Sequence, residues 1–181
     1  MTKIPLRFKS VSQIVGSEKL GLLVLVDMEE QWQLAIPCDQ AMLQQFELRI
    51  MDVPVKHLML PEVLWQVISS QSDVHFEILI SDIIEEQYRA ILYNTETLEP
   101  VAIRASDAIL LSFISNIPLF IEEKLMKRQS VPYRRSSEGV AMPLNAISNK
   151  MLQEALDKAV EDENYELASH LRDEMRRRNL L

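Results

Sequence analysis

The chain has 181 residues, 48% of them apolar, a formal net charge of −8 and three glycines. That size and apolar content suit one compact domain with an appendage and exclude a chain disordered throughout. The acidic balance excludes gathering polyphosphate by the overall field. Any nucleic-acid contact needs a local basic patch, and the sequence offers one only at Arg134, Arg135, Arg172, Arg176, Arg177 and Arg178.

Residues 4 to 37 read as strands. "LRFKSVSQIV" mixes β-branched and polar residues, "GLLVLVDM" is a continuous apolar run suited to burial on both faces, and "WQLAIP" follows an acidic turn. Asp39 is placed to cap a helix over "QAMLQQFELRI", whose stripe is Met42, Phe46 and Ile50, widened by Ala41 and Leu48. A second helix, "PEVLWQVISSQ", opens at Pro61, where proline is tolerated, with a buried face predicted at Val63, Leu64, Val67 and Ile68. "HFEILISDII", "QYRAILYN" and "LEPVAIR" are three consecutive strands. "SDAILLSFIS" is a short apolar helix with Ser106 as its N-cap and Asp107 in its first turn, and "PLFIEEKLMKR" is a strand running into a helix. Three strands in direct succession favour an α+β fold with a mixed sheet and packed helices. With so few glycines, turns fall to Asn, Asp, Ser and Pro.

From Gln129 to Ala146 the composition shifts to proline, serine and arginine, as in a linker. The predicted organisation is a main domain over 1–130, a linker over 131–146 and an antiparallel helical hairpin over 147–181. In the hairpin, Ile147, Met151, Ala155 and Ala159 recur every four residues, as do Leu152, Leu156 and Val160, and Tyr165, Ala168, Leu171 and Met175 continue the stripe. Asn164 is the expected cap of the second helix, with Glu166 in its first turn. Two helices of ~15 residues are marginal in water, so the stripe asks for a partner: a second copy, the chain's own main domain, or another protein.

The single cysteine, Cys38, excludes an intramolecular disulfide and reads as a buried thiol. Neither His75 nor His170 has a partner at metal-ligand spacing. Trp32 and Trp65 read as core or interface anchors. "MTKIPLRFKS" lacks a signal-peptide run, and "AILLSFISNIPLFI", interrupted by Pro118, is shorter than the ~20 residues of a membrane helix. A soluble, cytoplasmic protein without membrane contact is expected.

The run A-V-x-x-E-x-Y-E-x-A-x-x-L-R-D from Ala159 to Asp173, with Leu156 before it and Glu174 after, resembles the UVR motif of the bacterial excision-nuclease subunits B and C. The resemblance implies protein–protein contact through the hairpin. The interaction residues are then Leu156, Val160, Tyr165, Ala168, Leu171 and Met175, and the partner is a second copy of the chain or another UVR-type helical protein.

"VAIRASDAILLSFISNIPLFIEEKLM" resembles the signature of the bifunctional nuclease domain family, through Arg104, Ser106, Asp107, Ala108 and Ile109 and then Pro118 to Ile121. That resemblance implies an α+β fold and phosphodiester hydrolysis in RNA and DNA. It carries catalysis to Arg104, Asp107 and Glu62, and phosphate binding to Arg104 and Ser106. Gln40 stands where the family has a glutamate, and Pro61 where it has a histidine. Hydrolysis needs an activated water and stabilisation of developing negative charge. One arginine and a few acids could hold a phosphate and a divalent metal such as magnesium. The same residues also have a structural reading as a helix start and an ion pair, which leaves a non-catalytic adaptor assembling through the hairpin as the alternative.

Overall fold

The computed structural model describes residues 2–13, 20–85, 87–133, 149–161, 163 and 165–180. The chain divides into two compact units, Met1–Val140 and Ala141–Leu181. Most of the expected linker, including Arg134 and Arg135, lies outside the described residues, as do Ile147 and Asn164 and the side chains of Met151, Ala155, Glu166 and His170.

The first unit is α+β. Its strands are β1 (Lys3–Gln13), β2 (Leu20–Asp27), β3 (Trp32–Asp39), β4 (Phe76–Ile84), β5 (Gln87–Asn94), β6 (Pro100–Arg104), β7 (Leu119–Glu122) and β8 (Val131–Pro132). They form one sheet in the order β6-β5-β4-β7-β1-β2-β3-β8. β4 and β7 run parallel, and the other neighbours are antiparallel, so the sheet is mixed. The apolar run of β2 is buried at every position from Leu22 to Val26, as its lack of alternation predicts. β8 pairs with Trp32 and Gln33 and falls in the stretch read from composition as linker.

Helices α1 (Gln40–Ile50) and α3 (Ala105–Ser115) lie on the sheet, α1 against β1, β2 and β3, and α3 against strands from β3 to β6. Phe46 of α1 stacks on Phe8 of β1 at 4.7 Å between centroids, and Phe113 of α3 meets Phe8 edge-on at 5.1 Å. Asp39 caps α1 as expected, accepting from the Met42 N–H at 2.7 Å. The buried stripe of α1 is Met42, Leu43, Phe46 and Arg49, rather than one ending on Ile50, which is exposed. The face turns this way because Leu43 packs onto β2 at Gly21. A Cβ there would meet Leu43 Cδ1 at 2.9 Å, so a larger residue would push the Leu43 side chain aside and glycine suits the close approach.

Two further expectations are corrected. Helix α2 (Leu60–Gln71) follows a 3₁₀ turn over Pro54–Leu58 and has no fully buried residue. Its predicted buried face, Val63, Leu64, Val67 and Ile68, is exposed. The helix is held from the opposite side, where Trp65 meets Phe76 at 6.5 Å and Glu62 pairs with Arg49. In α3 the N-cap is Arg104, with no side-chain cap bond, and Ser106 is already inside the helix. Asp107 does sit in the first turn. α3 ends on Asn116 at φ 59°, whose N–H reaches Ser112 O at 2.8 Å. The short helix α4 (Glu123–Gln129) buries Leu125 and Met126 against the same core. With glycine scarce, left-handed positions fall to Glu30, Asp52, Glu85 and Leu98 as well as to asparagine.

The second unit is a hairpin of α5 (Asn149–Glu161) and α6 (Tyr165–Arg177), with Glu163 at φ 55° between them. Leu152, Ala159, Ala168, Leu171 and Met175 are buried along its seam, with Leu156 packed beside them. Arg178 Nη1 donates to Asn149 Oδ1 at 3.0 Å, tying the end of α6 to the start of α5, so the helices are antiparallel. No helix among the described residues is long and apolar enough to cross a membrane.

Candidate functional site

Arg104 ends β6 and starts α3, so its side chain stands at a helix N-terminus. Its Nε and Nη2 donate to Asp107 Oδ2 and Oδ1 at 2.5 and 3.1 Å, a bidentate fork across one helical turn. Its Nη1 faces Asp39 Oδ2 at 3.7 Å. Asp39 therefore serves two purposes: Oδ1 caps α1, and Oδ2 turns toward Arg104. The cluster joins the starts of α1 and α3 and is open to solvent. Asp107 beside it, and then Asp39, push the Arg104 pKa further up, so the guanidinium stays charged.

Sequence reasoning brought Arg104 and Asp107 together correctly but missed Asp39. The signal was present: Asp39 was read as a cap, and it is one residue from Gln40, the position where the glutamate is missing. Ser106 lies one residue from Asp107 and is half-buried. Glu62 is committed elsewhere. It accepts from Arg49 Nε at 2.6 Å and from Nη2 at 2.8 Å, and the Arg49 side chain is 2% exposed. The remaining Arg49 nitrogen donates to Gln45 O and Gln45 Oε1 at 2.8 and 2.9 Å. Glu62 thus neutralises a buried arginine that periodicity alone did not reveal.

Among the described residues no group of three or more His, Cys, Asp or Glu side chains is placed to share an ion. Asp39 and Asp107 both face a guanidinium, a donor set that suits a cation already supplied by the chain. Cys38 is buried, and burial, then the charge of Asp39, pushes its thiol up to about 11, in keeping with an inert core thiol. A second polar cluster was not foreseen. Lys3, Glu77 and Tyr93 meet across β1, β4 and β5, with Lys3 Nζ 3.2 Å from the Tyr93 hydroxyl and 4.1 Å from the Phe120 ring centre. Lys3 holds the Glu77 carboxyl below its usual range.

In the hairpin, the six expected interaction residues separate into two sets. Ala168, Leu171 and Met175 belong to the internal seam, with Leu156 beside them. Val160 and Tyr165 are 54% and 69% exposed. Together with Leu156 and Ala168 they line an open groove edged by Asp157 and Arg172. Among the described residues, three arginines of the expected basic patch pair with acids of α6 itself. Arg177 donates to Glu174 at 2.6 and 3.0 Å, Arg178 donates to it at 2.9 Å, and Arg176 lies 3.8 Å from Asp173.

Comparison with curated proteins returns no match. Two family models do match, a UvrB/UvrC motif over residues 150–177 and a bifunctional nuclease domain over residues 23–134. The second covers more than half the chain and runs from within β2 to the end of β8, with Arg104, Asp107 and Asp39 inside it: the chain belongs to the bifunctional nuclease domain family.

Proposed function

We propose that the protein works by assembly. Its C-terminal hairpin takes an amphipathic helix from a UVR-type partner, and the main domain is the module so recruited. The groove beside the hairpin seam carries this reading: Val160 and Tyr165 stand exposed, while the neighbouring Ala159, Ala168 and Leu171 are already buried. The hairpin has spent its seam on holding itself together and keeps a separate apolar surface. Asp157 and Arg172 at its edges offer one acceptor and one donor to fix the register of an incoming helix. The test is to titrate purified UVR-containing proteins against the chain and against Val160→Asp. A buried charge there costs about 2 kcal/mol, roughly thirty-fold in affinity. Equal binding by the two proteins would end the reading.

One observation favours hydrolysis as a second reading. Two carboxylates, Asp39 and Asp107, converge on an exposed guanidinium at two helix starts. Arg104 would grip phosphate oxygens and a freed carboxylate would orient water. A cleavage assay on RNA and on single- and double-stranded DNA, with and without divalent metal, decides between the two. Cleavage by the wild type that Arg104→Gln loses would establish the second reading, and its absence under every condition would remove it.

A further inference from the structure

We infer that the main domain binds a free amino acid with a large apolar side chain, in a cavity at the opposite end of α3 from Arg104. The cavity is a notch in the sheet. β7 begins at Leu119, opposite Leu6, and β1 runs on without it to Gln13. The space left there is about 510 Å³, inside the roughly 300–1,000 Å³ of small-molecule sites. α3 has 11 residues, so its two ends are roughly 16 Å apart and the cavity is separate from the Arg104 cluster. Phe8, Phe113 and Phe120 wall it, with Met28 from the turn between β2 and β3. Phe113 is 37% and Met28 60% exposed, apolar surface that the core does not use.

Two polar features of opposite sign border these apolar walls. The first is Arg7, which lines the cavity. Glu30, at φ 53° in the turn, accepts from Arg7 and also from Lys9, the latter at 2.5 Å. One carboxylate between two cations leaves one positive charge in excess. Glu30 holds Arg7 through Nη2, and among the described residues Arg7 has no other partner, so Nε and Nη1 are open to a carboxylate. The second is the C-terminal end of α3, where a helix carries about half a negative charge. Its last turn has no basic residue. Asn116, whose left-handed backbone ends the helix, lines the cavity, and its carboxamide has no partner among the described residues. The Ser112 hydroxyl is already used, donating to Ile117 O at 2.8 Å.

An apolar body, a carboxylate for Arg7 and an ammonium for the end of α3 together describe an amino acid such as phenylalanine, leucine or methionine. Its carboxylate takes the open side of the Arg7 fork. Its ammonium donates to the Asn116 carboxamide oxygen and is favoured by the helix dipole. Its side chain lies among the phenylalanines and Met28. A plain carboxylic acid satisfies Arg7 and leaves the helix end without a cation. A plain amine does the reverse. A nucleotide suits the site less, because its phosphate brings about two negative charges to one excess positive charge, beside the negative end of a helix.

The experiment is titration calorimetry on the full chain. The probes are L-phenylalanine, L-leucine and glycine, with phenylacetate and phenethylamine as analogues that each lack one charge. The two apolar amino acids are expected to bind with Kd below about 1 mM, within reach of ligands this small. Glycine and both analogues are expected to bind at least ten-fold more weakly. Arg7→Gln should weaken L-phenylalanine at least ten-fold. Asn116→Gly, which keeps the left-handed backbone, should weaken it at least three-fold. Lys9→Gln should bind as the wild type does, since Lys9 does not line the cavity. L-Phenylalanine should also raise the melting temperature of the wild type and not that of Arg7→Gln, and equal melting of the two without ligand shows that the variant is folded. Absence of binding by every amino acid at millimolar concentration would overturn the inference. So would phenylacetate binding as tightly as L-phenylalanine, or a folded Arg7→Gln protein binding like the wild type.

Discussion

The Arg49–Glu62 pair gives the sharpest test of what Glu62 is for. The Arg49 side chain is 2% exposed and that of Glu62 15%. Replacing Glu62 with alanine removes both acceptors of the fork and leaves Nε and Nη2 of a buried guanidinium facing nothing, while Gln45 still holds the third nitrogen. Breaking a buried pair from one side costs about 3–5 kcal/mol, and the lower end applies because water can reach the Glu62 side. Glu62→Ala is expected to lose about 3 kcal/mol, a large share of the 5–15 kcal/mol typical of a domain. The double variant Arg49→Met with Glu62→Leu, which removes both charges, should lie within about 1 kcal/mol of wild type. Urea unfolding measures the totals, and amide exchange across 60–71 shows whether α2 is released first. A loss below 1 kcal/mol in Glu62→Ala would refute the structural role. Lost cleavage with stability unchanged would assign Glu62 to catalysis instead.

Other outcomes follow from the same geometry. Leu171→Asp places a charge in the hairpin seam, where Leu171 is 1% exposed, and should melt α5 and α6, whereas Val160→Asp should leave their helicity intact in circular dichroism. Burial pushes the Glu174 carboxyl up, but hydrogen bonds and charge from Arg177 and Arg178 outweigh it, and the net shift is down. A depressed carboxyl adds stability above its unfolded pKa of ~4.3 that is lost as pH falls through the folded value. The hairpin should therefore weaken in acid, and Glu174→Gln should flatten that part of the pH profile. Leu98 holds φ 57° in an exposed turn, so Leu98→Gly should stabilise by about 1 kcal/mol, read as a rise in the melting temperature.

Much of the fold was legible because local rules and tertiary structure agreed. The unbroken apolar run of β2, the Asp39 cap and the meander of β4, β5 and β6 each needed information from a few neighbouring residues. Periodicity found the stripe on α2 but could not give its direction. A stripe states which residues share a side, and the side that faces the core is set by anchors. Here those are one tryptophan and one ion pair to a residue in another helix. The same limit applies to the site. Arg104 and Asp107, three apart on one turn, could be paired by eye. Asp39 joins them only because α3, which follows β6, packs against β3 as well, at the far side of the sheet order. The hairpin stripe merged two surfaces, an internal seam and an outer groove, that differ by a fraction of a helical turn.

The cluster at Arg104 carries opposing expectations that one substitution separates. An exposed ion pair is worth about 0–1 kcal/mol, so Asp107 does not lock Arg104 shut. A phosphate could take its place on the fork through equally strong charge-assisted bonds. What resists the phosphate is repulsion, because Asp39 and Asp107 give the cluster one negative charge in excess even with Arg104 counted. Asp107→Asn removes that excess and weakens the fork's hold on Arg104. If Arg104 is a plain anion site, Asp107→Asn should bind inorganic phosphate or a short oligonucleotide several-fold more tightly than wild type, measured by calorimetry at low salt. If Asp107 instead orients the attacking water, the same variant should bind the oligonucleotide at least as well and cleave it at least a hundred-fold more slowly. If Arg104 and Asp107 only secure the start of α3, neither binding nor cleavage changes and the variant shows a small loss of stability alone. Unchanged binding and cleavage together would rule out any phosphate chemistry at this helix start and leave assembly through the hairpin as the remaining reading.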